Sequence, residues 1–350
     1  MMRFSLALLV LSCRWTWASG ERFILPTENG FVQDPTRYLQ SAGTVRGNGG
    51  FGMVRENGTR FHGGIDIRPL RRRRDGEPAD TVRSVANGTV AYVNRDPDGS
   101  SYGIYVLVEH DELSLPLLSL YGHLASVQSE IVPGRRLSAG DPLGTMGRTA
   151  AGYMIEKERA HLHFELALRL GDEVEFFRWY LLQRFQTANG HGQWNGLNLV
   201  SLDPLSILRT SEEFSLAEHV RNLPTAFETQ IHGEQLPPFL GRYCALWDGM
   251  AAESVGDFLV EWTWFGLPKR WRPLLPADPD AAIAPKVVLV RWDPEWLASA
   301  NARGTLSLGR NGSVRLGKRT LDTLEKIFGS PMKTLDSPAA NPSGSGRAEK

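Results

Sequence analysis

Phe61-His62-Gly63-Gly64-Ile65-Asp66-Ile67 sets an imidazole and a carboxylate four positions apart across a glycine pair. Two glycines let the backbone turn tightly, so both side chains can converge on one point. About a hundred residues later comes His161-Leu162-His163-Phe164-Glu165-Leu166, an alternating run. Side chains at i and i+2 of a strand share a face, so the two imidazoles and Glu165 point one way while Leu162 and Phe164 point into a core. Three N/O ligands with a position left to water is the arrangement of catalytic rather than structural zinc. His62, Asp66 and one histidine of the 161/163 pair would supply it. Either motif alone arises often by chance; their joint occurrence on glycine-flanked strands is far more specific.

Outward from these motifs the pattern is strand and turn. Residues 81–93 carry Val82, Val85, Val90 and Val93 around Asn87-Gly88 and read as a hairpin. Runs at 104–108 and 117–124 are strand-like, and Pro133-Gly134 and Gly140-Asp141-Pro142 mark turns. An amphipathic helix is expected over 174–185, with Phe176, Phe177, Tyr180, Leu181 and Leu182 on its apolar side, and a second over 211–223. Beyond about 224, Trp247, Trp262, Trp264, Trp271, Trp292 and Trp296 crowd together among strand-like runs at 257–264 and 286–292, with a short helix over 321–328. Stacking on sugar rings is one use for such a cluster; filling a core is the commoner one and is the expectation here.

Of 350 residues, 41% are apolar and 22% charged, an ordinary globular composition. Lys+Arg equals Asp+Glu at 39 each, which removes any global electrostatic case for nucleic acid. Met1-Met2-Arg3, an apolar run over 4–11 and Thr16-Trp17-Ala18 together have the pattern of a secretory signal peptide cleaved after Ala18. That run is far short of the ~20 residues that span a bilayer, so the mature form has no transmembrane span. Val10-Leu11-Ser12-Cys13 faintly resembles a lipobox, which would make Cys13 a lipid anchor. The expected organisation is a signal peptide at 1–18, an N-terminal extension at 19–50, a catalytic domain at 51–209, an α+β region at 210–330 and a disordered tail at 331–350.

The chain resembles the lysostaphin-type (LytM-like) zinc endopeptidases that cut peptidoglycan peptides. The resemblance is carried by the two motifs above, by Tyr121-Gly122-His123-Leu124, and by the glycine-spaced approach Gly140-Asp141-Pro142-Leu143-Gly144-Thr145-Met146-Gly147. It covers roughly residues 50 to 168. It implies a mainly β, antiparallel peptidase core of duplicated hybrid-motif type, with helices and a small α+β region following. It also implies one Zn2+ per chain on His62, Asp66 and His163, with His161 and His123 as catalytic histidines. Two departures stand out: Ala150 follows Thr149 where the family has glycine, and residues 152–160 form a longer, charged insertion.

Zinc on two imidazoles and a carboxylate lowers the pKa of water towards ~7 and polarises a carbonyl. A histidine titrates near neutrality, so His161 is expected as general base and His123 as the group that stabilises the oxyanion or orients water, roles the two could exchange. Glu165 is a candidate contact to a ligand imidazole or a merely paired carboxylate. His110, His191, His219 and His232 have no metal-like spacing, and Arg71 to Arg74 read as a solvated basic loop. The expected function is hydrolysis of peptidoglycan peptides by an exported enzyme of the periplasm or cell envelope. A catalytically silent activator of another wall hydrolase, or an exported zinc peptidase acting on proteins, are the alternatives.

Overall fold

The computed structural model describes residues 20–39, 48–183, 185, 189–210, 214–232, 236–249, 257–274, 286–299, 304–309 and 312–334. The expected signal segment, including Cys13, lies outside them. Chain order begins with α1 (Pro35–Tyr38), then β1 (Gly52–Arg55), β2 (Arg60–His62), β3 (Ile65–Ile67), β4 (Thr81–Arg83), β5 (Gly88–Asn94), β6 (Ile104–His110), β7 (Leu117–Val127), β8 (Arg136–Leu137), β9 (Pro142–Met146), β10 (Leu162–Arg169), α2 (Glu173–Leu182), β11 (Leu199–Leu202) and α3 (Pro204–Leu208). After these come α4 (Leu216–Asn222), β12 (Phe227–His232), α5 (Pro238–Arg242), β13 (Asp257–Trp262), β14 (Pro268–Leu274), β15 (Lys286–Trp292), α6 (Pro294–Ala298), β16 (Leu306–Leu308), β17 (Val314–Leu316), α7 (Lys318–Phe328) and β18 (Lys333–Thr334).

The mainly β, antiparallel architecture is present. Nine strands form one sheet with the path β11-β10-β7-β6-β5-β8, β3 beside β10, and β9 joining β4 to β7; β1 and β2 make a separate hairpin. Alternation along β10 sends Leu162, Phe164, Leu166 and Leu168 into the main core, all fully buried. The opposite face carries a smaller cluster, Tyr105, Leu107, Leu118 and Leu120, with Tyr102 packed against it. Tyr102 links that cluster to the histidine site, its ring centroid 5.6 Å from Tyr105 and 5.4 Å from His163.

The second sheet has the order β14-β13-β12-β15-β18, with only β15 and β18 parallel. That pairing carries ordered chain past residue 331, where a disordered tail was expected; residues 335–350 lie outside the described residues. Trp262 and Trp271 are fully buried, and Trp247, Trp264, Trp292 and Trp296 pack against the same core, so this cluster fills space as expected. Among the described residues no helix is long and apolar enough to cross a membrane.

Three sequence expectations change. Residues 81–93 do not form a hairpin: β4 pairs with β9 and β5 with β6 and β8, so Asn87-Gly88 joins strands that are not neighbours. Gly88 is demanded instead by crowding, since a Cβ there would meet the Glu109 carbonyl oxygen at 2.5 Å and His110 Nδ1 at 2.7 Å. The helix expected over 174–185 buries Phe176 and Trp179 while Phe177, Leu181 and Leu182 are exposed, because its inner face packs on α7 rather than on the sheet. The helix expected over 211–223 is described only as α4; residues 211–213 lie outside the described residues.

Candidate metal centre

Sheet register brings the two motifs together. On β10, His163 is the direct antiparallel partner of Asp66 on β3, and Gly122 of β7 flanks it on the other side. Side chains directly opposite across such a pair stand close enough to touch. His62 arrives from β2 through Gly63-Gly64, a link pressed against β10 and β11: a Cβ on Gly64 would meet Glu165 Cγ at 2.8 Å, and one on Gly63 would meet Ser201 Oγ at 2.7 Å. The sequence spacing is therefore realised as a convergence of three strands.

His62 Nε2 lies 3.2 Å from Asp66 Oδ1 and 3.2 Å from His163 Nδ1, and His163 Nδ1 lies 2.9 Å from Asp66 Oδ1. His62, Asp66 and His163 are all buried and form a group able to hold a metal ion. Zinc–ligand bonds of about 2.0–2.1 Å in tetrahedral geometry put ligand atoms about 3.3 Å apart, close to this triangle. The hydrogen bonds behind the ligands fix which ring atom faces inward. His62 Nδ1–H donates to the Gly50 carbonyl oxygen at 2.7 Å, leaving the Nε2 lone pair towards the site. His163 Nε2–H donates to Glu165 Oε1 at 2.7 Å, turning Nδ1 inward. A pocket walled by acceptor atoms and a carboxylate calls for a cation, and the donor set fits zinc.

Glu165 thus contacts a candidate ligand imidazole, as its i+2 position suggested. It also accepts from Tyr102 Oη at 3.0 Å and from Ser201 Oγ at 3.2 Å, so its carboxylate is held at three points. Such a partner fixes ring orientation and raises ligand basicity. Burial opposes charge on His163, yet the hydrogen bonds to Asp66 and Glu165 outweigh it and raise the imidazole to about 9. Burial alone would raise Asp66, but His161, His62 and His163 hold its carboxyl well below the usual carboxylate range.

His161 and His123 stand beside this triangle, ring centroids 4.9 Å apart. His161 Nδ1–H donates to the Arg159 carbonyl oxygen at 2.7 Å, and its Nε2 lies 3.5 Å from Asp66 Oδ2. His123 Nδ1–H donates to the Thr149 carbonyl oxygen at 2.8 Å, and its backbone, at φ 58°, sits in the left-handed region. A histidine there is uncommon, and such strain persists where surrounding contacts over-determine it; here the His123 amide is held by the Tyr102 carbonyl at 2.8 Å. Burial pushes His161 below the ordinary histidine value and His123 well below it, so both rings are neutral near pH 7. With Nδ1–H engaged, each neutral ring turns an accepting Nε2 to the site.

Sequence reasoning missed Arg55, Tyr102 and Tyr153. Arg55 Nη2 contacts Asp66 Oδ2 and lies 3.0 Å from His62 Nε2. Tyr153, exposed on the 152–160 insertion, stands edge-on to His123 at 6.4 Å. No spacing rule marks an arginine seven residues ahead of a histidine, or loop tyrosines. The other histidines are placed elsewhere: His110 between Asn87 and Ser119, His191 on Tyr92, His219 beside Ser206 and His232 on Asp257. The 71–74 basic run is a fastening loop, with Arg71 on Glu28, Arg73 on Asp75 and Arg72 donating to the Lys157 carbonyl oxygen of the insertion.

Residues 60–175 match the family model described as Peptidase family M23, the kinship that the motif resemblance implied. Solved structures similar to the chain include a zinc-containing peptidase from Vibrio cholerae, at 22% identity over 42% of this chain and 37% of that one, TM-score 0.28. Csd3 of Helicobacter pylori is similar at 16% identity over 55% of this chain and 34% of that one, TM-score 0.30. The catalytic domain of the antimicrobial peptidase lysostaphin from Staphylococcus simulans is similar at 16% identity over 51% of this chain and 98% of that one, TM-score 0.29. The chain spans less than half the length of the first two. A search of curated proteins finds no match.

Proposed function

We propose that this chain is a zinc-dependent endopeptidase that hydrolyses peptide bonds in peptidoglycan cross-links or stem peptides outside the bacterial cytoplasm. The observation that supports it most is the convergence of His62 Nε2, Asp66 Oδ1 and His163 Nδ1 within 3.2 Å of one another, with two further neutral histidines alongside. A bound zinc ion supplies Lewis acidity to the scissile carbonyl and makes water a competent nucleophile at neutral pH. The remaining work falls to the chain's own side chains.

His161 takes the proton from the attacking water at Nε2 and returns it to the leaving amine. It is the better base of the two because Asp66 Oδ2, 3.5 Å from that nitrogen, stabilises the imidazolium that forms. His123 orients the water through its own accepting Nε2, and it serves the oxyanion only when protonated, since its Nδ1–H is committed to Thr149. Glu165 keeps His163 in the tautomer that presents Nδ1. The insertion bearing Tyr153 forms one wall of the approach to His123.

In this reading residues 1–18 direct export to the periplasm or cell envelope, with acylation of Cys13 as the alternative route, and the substrate is wall peptide rather than nucleic acid. Purified protein incubated with isolated sacculi, the released muropeptides identified by mass spectrometry, tests activity and bond type together. Wild type should release peptide fragments, and Asp66→Ala and His161→Ala should not. Equal release by wild type and both variants overturns the proposal, as does cleavage of casein without muropeptide release.

A further inference from the structure

One contact at the metal centre is left over by the proposed chemistry. Arg55 ends β1, and its strand-mate across the hairpin is Arg60. The intervening turn runs through Glu56, Asn57 and Gly58, all at positive φ. From there Arg55 reaches inward until its side chain is 13% exposed, and one guanidinium nitrogen meets both Asp66 Oδ2 and His62 Nε2. We propose that Arg55 is a resident counter-cation of this site: it occupies the metal-free centre, gives up His62 when the ion enters, and then holds only the outer oxygen of Asp66. This rests on the reading that His62, Asp66 and His163 bind a divalent ion.

His62 donates from Nδ1 to Gly50, so Nε2 carries the ring's single lone pair. That lone pair serves either an Nη–H of Arg55 or a metal ion, not both. Asp66 has two oxygens and divides them. Oδ1 faces His62 and His163, while Oδ2 faces Arg55 and lies 3.5 Å from His161. An ion can therefore take Oδ1 without evicting Arg55 from Oδ2, which leaves the carboxylate bound to metal through one oxygen. Without metal, two buried carboxylates, Asp66 and Glu165, share the single His163 ring, and a buried carboxylate lacking a matching cation is strongly destabilising. Arg55 supplies the missing charge, so the three ligands stay assembled before metal arrives. With metal bound, its charge lies a few ångströms from a divalent ion in a buried site and weakens the ion's hold. Loading is thus an exchange of cations at a preformed site.

Zinc affinity by competition with a chromophoric chelator, and thermal unfolding of metal-free and zinc-loaded protein, test this with no activity assay. Arg55→Met should bind zinc about ten-fold or more tightly than wild type, since removing the repulsion outweighs the lost orientation of Asp66. Its metal-free form should melt lower than wild type while the zinc-loaded form changes little. Arg55→Lys, which keeps the charge, should stay within about three-fold of wild-type affinity. If Arg55→Met does not fold without metal, Arg55→Gln replaces it in the same comparison. Wild type that binds zinc, with an uncharged variant binding equally or more weakly, overturns the counter-cation role and leaves the metal site standing. Wild type that binds no zinc overturns both.

Discussion

Gly64 has no room for a methyl group, because an added Cβ would sit 2.3 Å from the Phe164 carbonyl oxygen and 2.8 Å from Glu165 Cγ. Both obstacles belong to β10, the strand that carries His163, so relief comes only by moving one side of the site. Gly64→Ala should lower stability by about 2–3 kcal/mol, read from urea midpoints, and weaken zinc binding with it. Glu165 tests the opposite case, a change of charge with little change of shape. Glu165→Gln leaves the Tyr102 and Ser201 contacts partly available but removes the anion that receives the His163 Nε2 proton. Zinc affinity should fall about 10–100-fold with little change in melting of the metal-free protein. His62, Asp66 and the 161/163 pair were legible because glycine-flanked His/Asp and alternating His/His spacings express strand geometry directly, whereas the choice of His163 as ligand, and His123 altogether, came only from the family resemblance. Arg55 was not legible, since its role depends on a hairpin that returns it to a residue eleven positions on, and nothing in the local pattern around it encodes that return.

Strand pairing shows where local pattern stops being informative. Asn87-Gly88 between valine-rich runs has the form of a hairpin turn, yet the flanking strands find different partners, and Gly88 is selected by contact with Glu109 and His110. His110, read as a residue with no metal-like spacing, proves to be a fully buried bridge between strands: Nδ1–H donates to the Asn87 carbonyl oxygen at 2.7 Å, and Nε2 pairs with Ser119 Oγ at 2.8 Å. Burial pushes it down to about 4 from the ordinary 6.5. Above pH 7 the ring is neutral folded or unfolded, and it has no pH effect. Between 6.5 and 4 the unfolded chain binds a proton that the fold refuses, so stability falls as pH falls through that window. His110→Asn keeps a donor for Asn87 and has no such titration. Although less stable at neutral pH, it should lose about 2 kcal/mol less than wild type between pH 7 and pH 5, measured by urea unfolding at each pH.

At the scale of the molecule the core is continuous, running from Phe31 through both sheets to Met332. The composition shift near residue 224 and the tryptophan crowding were visible in the sequence, as were β15 and the late helix. What the second sheet packs against was not, because a contact between residues two hundred positions apart leaves no periodic trace. That contact lies under the metal centre. Trp264 stands edge-on to Phe51 at 6.0 Å and to Phe61 at 6.2 Å, Phe265 meets Phe51 at 5.3 Å, and Arg319 of α7 covers the Phe61 ring at 4.1 Å. Phe61 immediately precedes His62, and Trp264 fills the space where a Cβ on Gly52 would stand, at 2.7 Å. The β1–β2 hairpin that holds His62 and Arg55 is therefore clamped from below by the C-terminal region. Trp264→Ala removes the wall while leaving every candidate ligand in place. Half-buried as it is, its loss should cost about 2 kcal/mol of stability. Because the freed hairpin no longer fixes the imidazole, zinc affinity should drop as well, by about ten-fold. Trp292→Ala, a change of the same kind in the second sheet but far in sequence from the hairpin contacts, should lower the melting temperature and leave zinc affinity unchanged. Equal zinc affinities in the two variants would mean that the C-terminal region stabilises the fold without bracing the metal centre.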